Sequence, residues 1–261
     1  MTLVRHELRQ GRLPFLIWTA SIGGLLAVCI FLFPEMEAQM DGISDVFSSM
    51  GSFTAAFGMD RLSFGTLMGF YSVECGNVLG LGGAFYAALC GVAILSKEEH
   101  SRTAEFLLTH PVSRFHIITG KLAAVLIQIS ALNLFLYVLS VASIAAIDEA
   151  IPWKELNLLH LAYYLLQIEL ACICFGISAF MRKNSIGVGM GIAIMMYFLN
   201  LVANMAEAAE FLKYITPFGY CEGADIVTEG CLDLTRIAIG MCAGLAGVAA
   251  AYWKYGRKDI R

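Results

Sequence analysis

Six apolar runs, each close to the length that crosses a lipid bilayer, decide what this sequence can fold into. They cover about residues 14–33, 77–95, 117–147, 158–181, 186–205 and 234–253. A helix needs about 20 mainly apolar residues to cross the hydrocarbon. Hydrophobic residues make up 59% of the chain and charged ones only 15%, against about 25% charged in a soluble domain. That leaves too little polar material to coat a soluble surface. The expected fold is an all-α membrane protein with six transmembrane helices. A single transmembrane domain over residues 1–261 leaves no room for a second, soluble one.

The placement of charge says more than the net value of -4. With the N-terminus in the cytoplasm, one side collects Arg5, Arg9, Arg12, Lys97, Arg102, Arg114, Lys121, Arg182, Lys183, Lys254, Arg257, Lys258 and Arg261. The other keeps Arg61, Lys154, Lys213 and Arg236, so 13 of 17 basic residues share a side. Because lysine and arginine collect on the cytoplasmic side, both termini are expected there. The outer connections are acidic, through Glu35, Glu37, Asp41, Asp45 and Asp60, then Glu222, Asp225, Glu229 and Asp233. The first apolar run is too long for a signal-peptide core, so no cleavage is expected. The expected location is the inner (cytoplasmic) membrane of a bacterial or archaeal cell.

Two further segments read as helices outside the spans. Leu3, Val4 and Leu8 oppose Arg5, Arg9 and Arg12, the pattern of an N-terminal helix lying on the interface. Within the long outer connection of residues 35–76, Ile43, Val46, Phe47, Met50, Phe53 and Phe57 recur every three or four positions, as in an amphipathic helix. Gly76-xxx-Gly80, Gly187-xxx-Gly191 and Gly240-xxx-Gly244 put small residues on one helix face, for close contact within the chain or between protomers. Of eight cysteines most lie in apolar runs, and Cys221 and Cys231 are spaced to allow a bridge. No spacing reads as a metal site.

The inner connection between spans two and three carries the most information. Ser96 can cap a short helix, Glu98 and Glu99 suit its positive end, and Pro111 stops it. Ala104, Leu107 and Leu108 make an apolar side, and Glu98, Arg102 and Glu105 a polar one. The run from the acidic pair through Thr103, Leu107-Leu108 and Pro111-Val-Ser-Arg114 to Gly120-Lys121 resembles the signature of ABC-2-type permeases, the membrane subunits of a class of ABC exporters. Leu212-Lys-Tyr-Ile-Thr-Pro-Phe-Gly-Tyr220 is similar to the proline–aromatic stretch before the last span of that family, and Ala55-Ala-Phe-Gly58, with Gly69-Phe-Tyr71 beyond it, also resembles family sequence. The resemblance implies that this connection is a coupling helix docking on an ATPase subunit, through Glu98, Glu99, Thr103, Glu105, Phe106, Leu107, Leu108 and Pro111. Arg102-Thr103-Ala104 departs from the usual Gly-Thr-Leu of the family. The sequence has no Gly-x-x-x-x-Gly-Lys-[Ser/Thr] loop to cradle phosphates. No cofactor is therefore expected in this chain, with ATP and magnesium on the partner ATPase. A second permease copy or a sister permease, and membrane lipid, are the other expected partners, with no nucleic acid.

Glu169 is the acidic residue placed deepest in an apolar run. A charge there costs on the order of 2.5–3.5 kcal/mol on insertion scales, so such groups face a partner or a wet cavity. It reads either as a substrate contact or as a protonated acid bonded to Gln128 or Asn133. Gln128, Asn133, Asn200 and Asn204 suit interhelical hydrogen bonds, and the first three join Glu169 as candidate substrate-path residues. No histidine is expected deep in a span, His160 lying at the outer start of the fourth, and no catalytic set is visible. The leading reading is a permease subunit of an ATP-driven exporter of a drug, peptide or lipid-like substrate, itself not an enzyme. The alternatives are an ion-coupled secondary transporter, whose spans usually carry more breaks or charges near the midplane, and a membrane-embedded enzyme.

Overall fold

The structure, a computed structural model, describes residues 2–39, 51, 54, 56–59, 61–63, 65–97, 113–181 and 186–257. It is helical, with no strand among the described residues. A short helix α1 (Thr2–Gln10) leads through Gly11 into α2 (Arg12–Ala38). There follow α3 (Leu67–Ala93), α4 (Arg114–Ala146), α5 (Trp153–Ser178) and α6 (Ile186–Met205). After two 3-10 turns, Glu207–Tyr214 and Pro217–Tyr220, come the short α7 (Gly223–Glu229) and the last helix α8 (Leu234–Arg257). Six helices, α2 to α6 and α8, are long and apolar enough to span a membrane.

The inner pair is α3 and α5. In each, 61% of the most apolar stretch is buried, against 17% in α8 and 22% in α6. Helix α5 packs on α3 on one side and on α8 on the other, while α2 packs on α4 and α6 on α3. Leu13, Leu16, Leu25 and Phe31 of α2 and Leu134 and Val138 of α4 stay exposed, as expected where the solvent is lipid.

Two boundaries differ from the sequence expectation. Helix α2 does not stop at Pro34 but runs on to Ala38. Proline removes one hydrogen bond and kinks a helix without always ending it. The second span starts at Leu67, ten residues before the expected 77, so residues 67–76 belong to it rather than to the outer connection. Its first half is hard to read because Ser72, Glu74 and Asn77 dilute the apolar run. It is also wound as two π-helical turns, Tyr71–Cys75 and Val78–Gly82. Such turns loosen the normal ladder, and side chains serve the carbonyls there: Asn77 Nδ2 donates to Val73 O at 2.8 Å and Gln167 Nε2 to Leu79 O at 3.5 Å. Of the expected outer helix, residues 43–50 and Phe53 lie outside the described residues.

Two of the three small-residue motifs pack within the chain. Gly76 and Gly80 of α3 seat the Tyr163 ring of α5, and Gly240 and Gly244 of α8 seat Glu169 and Cys172. Gly191, by contrast, faces open space. A Cβ at Gly240 would collide with the Glu169 carboxylate. Gly240→Val should therefore lower the thermal midpoint of the purified protein in detergent, at a cost of about 1–3 kcal/mol for overpacking. Gly191→Ala should leave that midpoint unchanged or raise it, since nothing lies within 4 Å and alanine favours helix.

Candidate functional site

At the α1 end of the bundle, α1 is amphipathic as expected, with Arg5 and Arg9 exposed and Leu3 against Gly120. Its apolar face carries a residue that sequence reading passed over. Glu7 follows Leu3 and Val4 by one helical turn and is only 2% exposed. Its Oε1 accepts from Lys121 Nζ at 2.8 Å, and its Oε2 pairs with Lys97 Nζ. Lys121 is fully buried and also donates to Ile94 O at 2.9 Å, while Lys97 reaches Gln10 Oε1 at 2.8 Å. Burial pushes the Glu7 carboxyl up, but the two ammonium groups and their hydrogen bonds more than offset this, and it is held below its ordinary 4.5.

This cluster brackets the informative connection. Lys97 is the last described residue before it, and Ser113 the first after it. Ser113 caps α4 by accepting from His116 N at 3.2 Å. Arg114 Nη1 reaches the last-turn carbonyls of α8, Tyr255 O at 3.3 Å and Gly256 O at 3.2 Å. A cation suits the carbonyl end of a helix. Thus Ser113 of the sequence motif caps α4, while Arg114 and Lys121 fix its base to α8 and to α1 and the end of α3. Glu98, Glu99, Thr103, Glu105, Phe106, Leu107, Leu108 and Pro111 lie outside the described residues.

Deeper in the bundle, Glu169 meets neither Gln128 nor Asn133. Its partner is Tyr220, whose hydroxyl donates to Oε2 at 2.8 Å. The proline–aromatic stretch explains the contact. Thr216 caps a 3-10 turn, Pro217 opens it, and Pro217, Phe218, Gly219 and Tyr220 are all buried, with Tyr220 turned onto α5. Asn133 Nδ2 donates instead to Gln167 Oε1 at 2.7 Å, and Gln128 Oε1 accepts from Tyr86 at 3.0 Å.

At the far end a cavity of about 50 Å³ lies between α3, α5, α6 and the Pro217–Tyr220 turn, lined by Asn77, Tyr163, Tyr197, Asn200 and Glu222 among others. Such a volume admits a few waters. Glu222, 7% exposed, accepts from Asn200 at 3.2 Å and Asn204 at 2.7 Å. Arg61 bonds Asp225 at 2.5 Å and stands 4.0 Å from Glu222. Tyr197 donates to Asn77 Oδ1 at 2.9 Å.

Comparison with known families now decides the class. A family described as ABC-2 family transporter protein matches residues 22–260. The chain belongs to that family. It is a multi-pass membrane protein and a permease of an ABC transporter, the kind of subunit that works with an ABC ATPase. No curated protein matches the sequence.

In this ABC-2 permease the candidate substrate-path residues do not share one cavity. Asn200 lines the far cavity, Gln128 an apolar groove of about 450 Å³ beside α1, and Asn133 a cleft between α4 and α5. Cys221 is buried and Cys231 exposed, both as free thiols, so the bridge their spacing allowed is not formed. His160 is also deeper than expected, 7% exposed with Nε2 2.8 Å from Tyr71 Oη.

Removing one partner of a buried ion pair strands the other charge at a cost of about 3–5 kcal/mol, whereas apolar replacement of both is often nearly neutral. Glu7→Leu and Lys121→Met should each lower the thermal midpoint sharply. The double variant should recover most of it. Because the folded Glu7 carboxyl is held below 4.5, its contribution is complete above that pH and is lost as pH falls through the lowered value. Protease protection of α1 should therefore be flat above about pH 5 and fall only in stronger acid, a loss that Glu7→Gln should not show.

Proposed function

We propose that this chain is the membrane subunit of an ATP-driven exporter, sitting in the inner membrane of a bacterial or archaeal cell with both termini cytoplasmic. The observation that carries this reading is the Glu7–Lys97–Lys121 clamp. It joins the base of α3 to the base of α4 at the two sides of the connection that resembles a coupling helix. In this proposal Glu98, Glu99, Thr103, Glu105, Phe106, Leu107, Leu108 and Pro111 dock on the ATPase, which binds ATP and magnesium. Closure of two ATPases would push the connection, and the clamp would transmit that push to α1, α3 and α4 as one body. Alternating access then follows as a shift in population between inward- and outward-open arrangements.

Two permeases, identical or sister chains, would complete the transporter. An amphipathic cargo, whether drug, peptide or lipid-like, suits the apolar walls of the bundle. Glu169, Gln128, Asn133 and Asn200 are proposed as polar stations along its path. Glu169 is the strongest of them, being a carboxylate on the central helix with a single hydroxyl partner among the described residues.

Affinity purification of the tagged permease from its native host in mild detergent tests the reading. Wild type should bring down a P-loop ATPase, and Glu99→Ala and Leu107→Asp should lose it while keeping the thermal midpoint of wild type. Recovery of the permease alone in several detergents, with ATP present, would overturn the assignment.

A further inference from the structure

A cleft of about 260 Å³ runs between α4 and α5 on a surface that α3 and α8 leave open. Its edges are lipid-facing, with Leu134 66% and Leu161 46% exposed. Its lining is mainly apolar, and Tyr137, Asn157, His160 and Tyr164 contribute a few polar atoms to it. Polar groups turned toward hydrocarbon are costly, and they mark contacts with partners or ligands. Most of these groups are already satisfied. Tyr137 Oη donates to Asn157 Oδ1 at 2.7 Å, and Tyr164 shares a hydrogen bond of 2.8 Å with Ser130.

His160 is the exception, and its state can be worked out. Ser140 Oγ gives its proton to Leu136 O at 2.8 Å. Tyr71 Oη gives its own to Ser140 Oγ at 2.9 Å. The Tyr71 oxygen is therefore the acceptor of its 2.8 Å contact with His160 Nε2, and the imidazole proton sits on Nε2. A neutral imidazole has one donor and one acceptor nitrogen, so Nδ1 carries a free lone pair. No hydrogen bond reaches it among the described residues, nor is it among the sealed, unpartnered atoms. His160 is only 7% exposed, and it lines the cleft. Asn157, with Oδ1 engaged by Tyr137, makes no hydrogen bond through its amide N–H groups among the described residues and lines the same cleft.

We infer that this cleft binds the hydroxyl-bearing head of a neutral, single-chain amphiphile from the membrane, with His160 Nδ1 accepting from the hydroxyl and Asn157 Nδ2 donating to it. A hydroxyl is both donor and acceptor and so answers both open groups. A charged head is disfavoured because none of the lining residues is charged, and an ion there would have no counter-charge. The volume lies just under the roughly 300–1,000 Å³ of drug-sized pockets, which suits a small head and the first part of one chain. This site is separate from the ATPase-coupling reading and stands whether or not that reading holds.

The test uses the full chain in nanodiscs and two probes, a monoacylglycerol and the methyl ester of the same fatty acid, with bound probe counted by native mass spectrometry. The monoacylglycerol should bind about tenfold more tightly than the ester, the scale of one buried hydrogen-bonding group left unmet. His160→Phe should remove that difference. Asn157→Leu, at an exposed position away from the Tyr71 chain, should weaken monoacylglycerol binding about tenfold with an unchanged thermal midpoint. Equal affinity of wild type for the two probes, or unchanged binding in Asn157→Leu, would mean an ordinary lipid contact and overturn the site.

Discussion

A lysine with no exposed surface is the most demanding feature of this fold. The Lys121 ammonium lies where several kcal/mol of desolvation must be offset, and Glu7 and the Ile94 carbonyl contribute to offsetting it. Glu7 belongs to α1, Ile94 to the end of α3, and Lys121 to α4. Three elements must therefore converge before the charge is tolerable, which pins the register of α1 against the bundle far more tightly than Leu3 and Val4 alone would. Hydrophobic contacts allow an interfacial helix to slide along its axis. A two-pronged carboxylate between two ammonium groups does not.

The same logic orders the interior. Two inward polar side chains of α5, Gln167 and Glu169, meet partners set by backbone geometry. Gln167 meets Asn133 of α4 and a carbonyl in a π-helical turn of α3, and Glu169 meets Tyr220. In hydrocarbon an unmet polar group has no water to fall back on. These pairs hence fix relative rotation of helices whose apolar surfaces are otherwise interchangeable. Glycines at 240 and 244 let α8 come close enough to α5 to close over Glu169.

Much of this was legible in the sequence, and the failures have physical causes. Spans announce themselves by length and hydropathy, so all six could be found. The start of α3 could not, because Ser72, Glu74 and Asn77 serve packing and carbonyl satisfaction inside a widened turn, and hydropathy counts them only as polar. The proline–aromatic stretch could be recognised but not its contact, since Tyr220 and Glu169 are 51 residues apart and no spacing rule joins them. Glu7 was open to detection. A carboxylate at positions 3, 4, 7 and 8 of an amphipathic helix falls on the apolar stripe, and an acid there calls for a buried cation. The basic residue that answers, Lys121, was read as one more cytoplasmic charge.

Helix α3 gives the two ends of the molecule a shared part. Lys97, four residues beyond its last turn, stands in the ionic clamp, while Ser72, Gly76, Asn77 and Gly80 near its start line the far cavity with Glu222. The two π-helical turns lie at that far end, where the loosened ladder is completed by side chains of Asn77 and Gln167 rather than by backbone alone. A straight α-helix transmits a push along its axis as a rigid rod. A helix widened twice near one end can instead take up a change of pitch there, exchanging one carbonyl partner for another at small cost. The cavity beside those turns is large enough for a few waters, and Glu222 in its lining is held by Asn200 and Asn204, with Arg61 4.0 Å away. The glycine-seated contact of Tyr163 with Gly76 and Gly80 lies in the same stretch, so the widened turns, the cavity and the seat on α5 form one local unit at the end of α3 opposite the clamp.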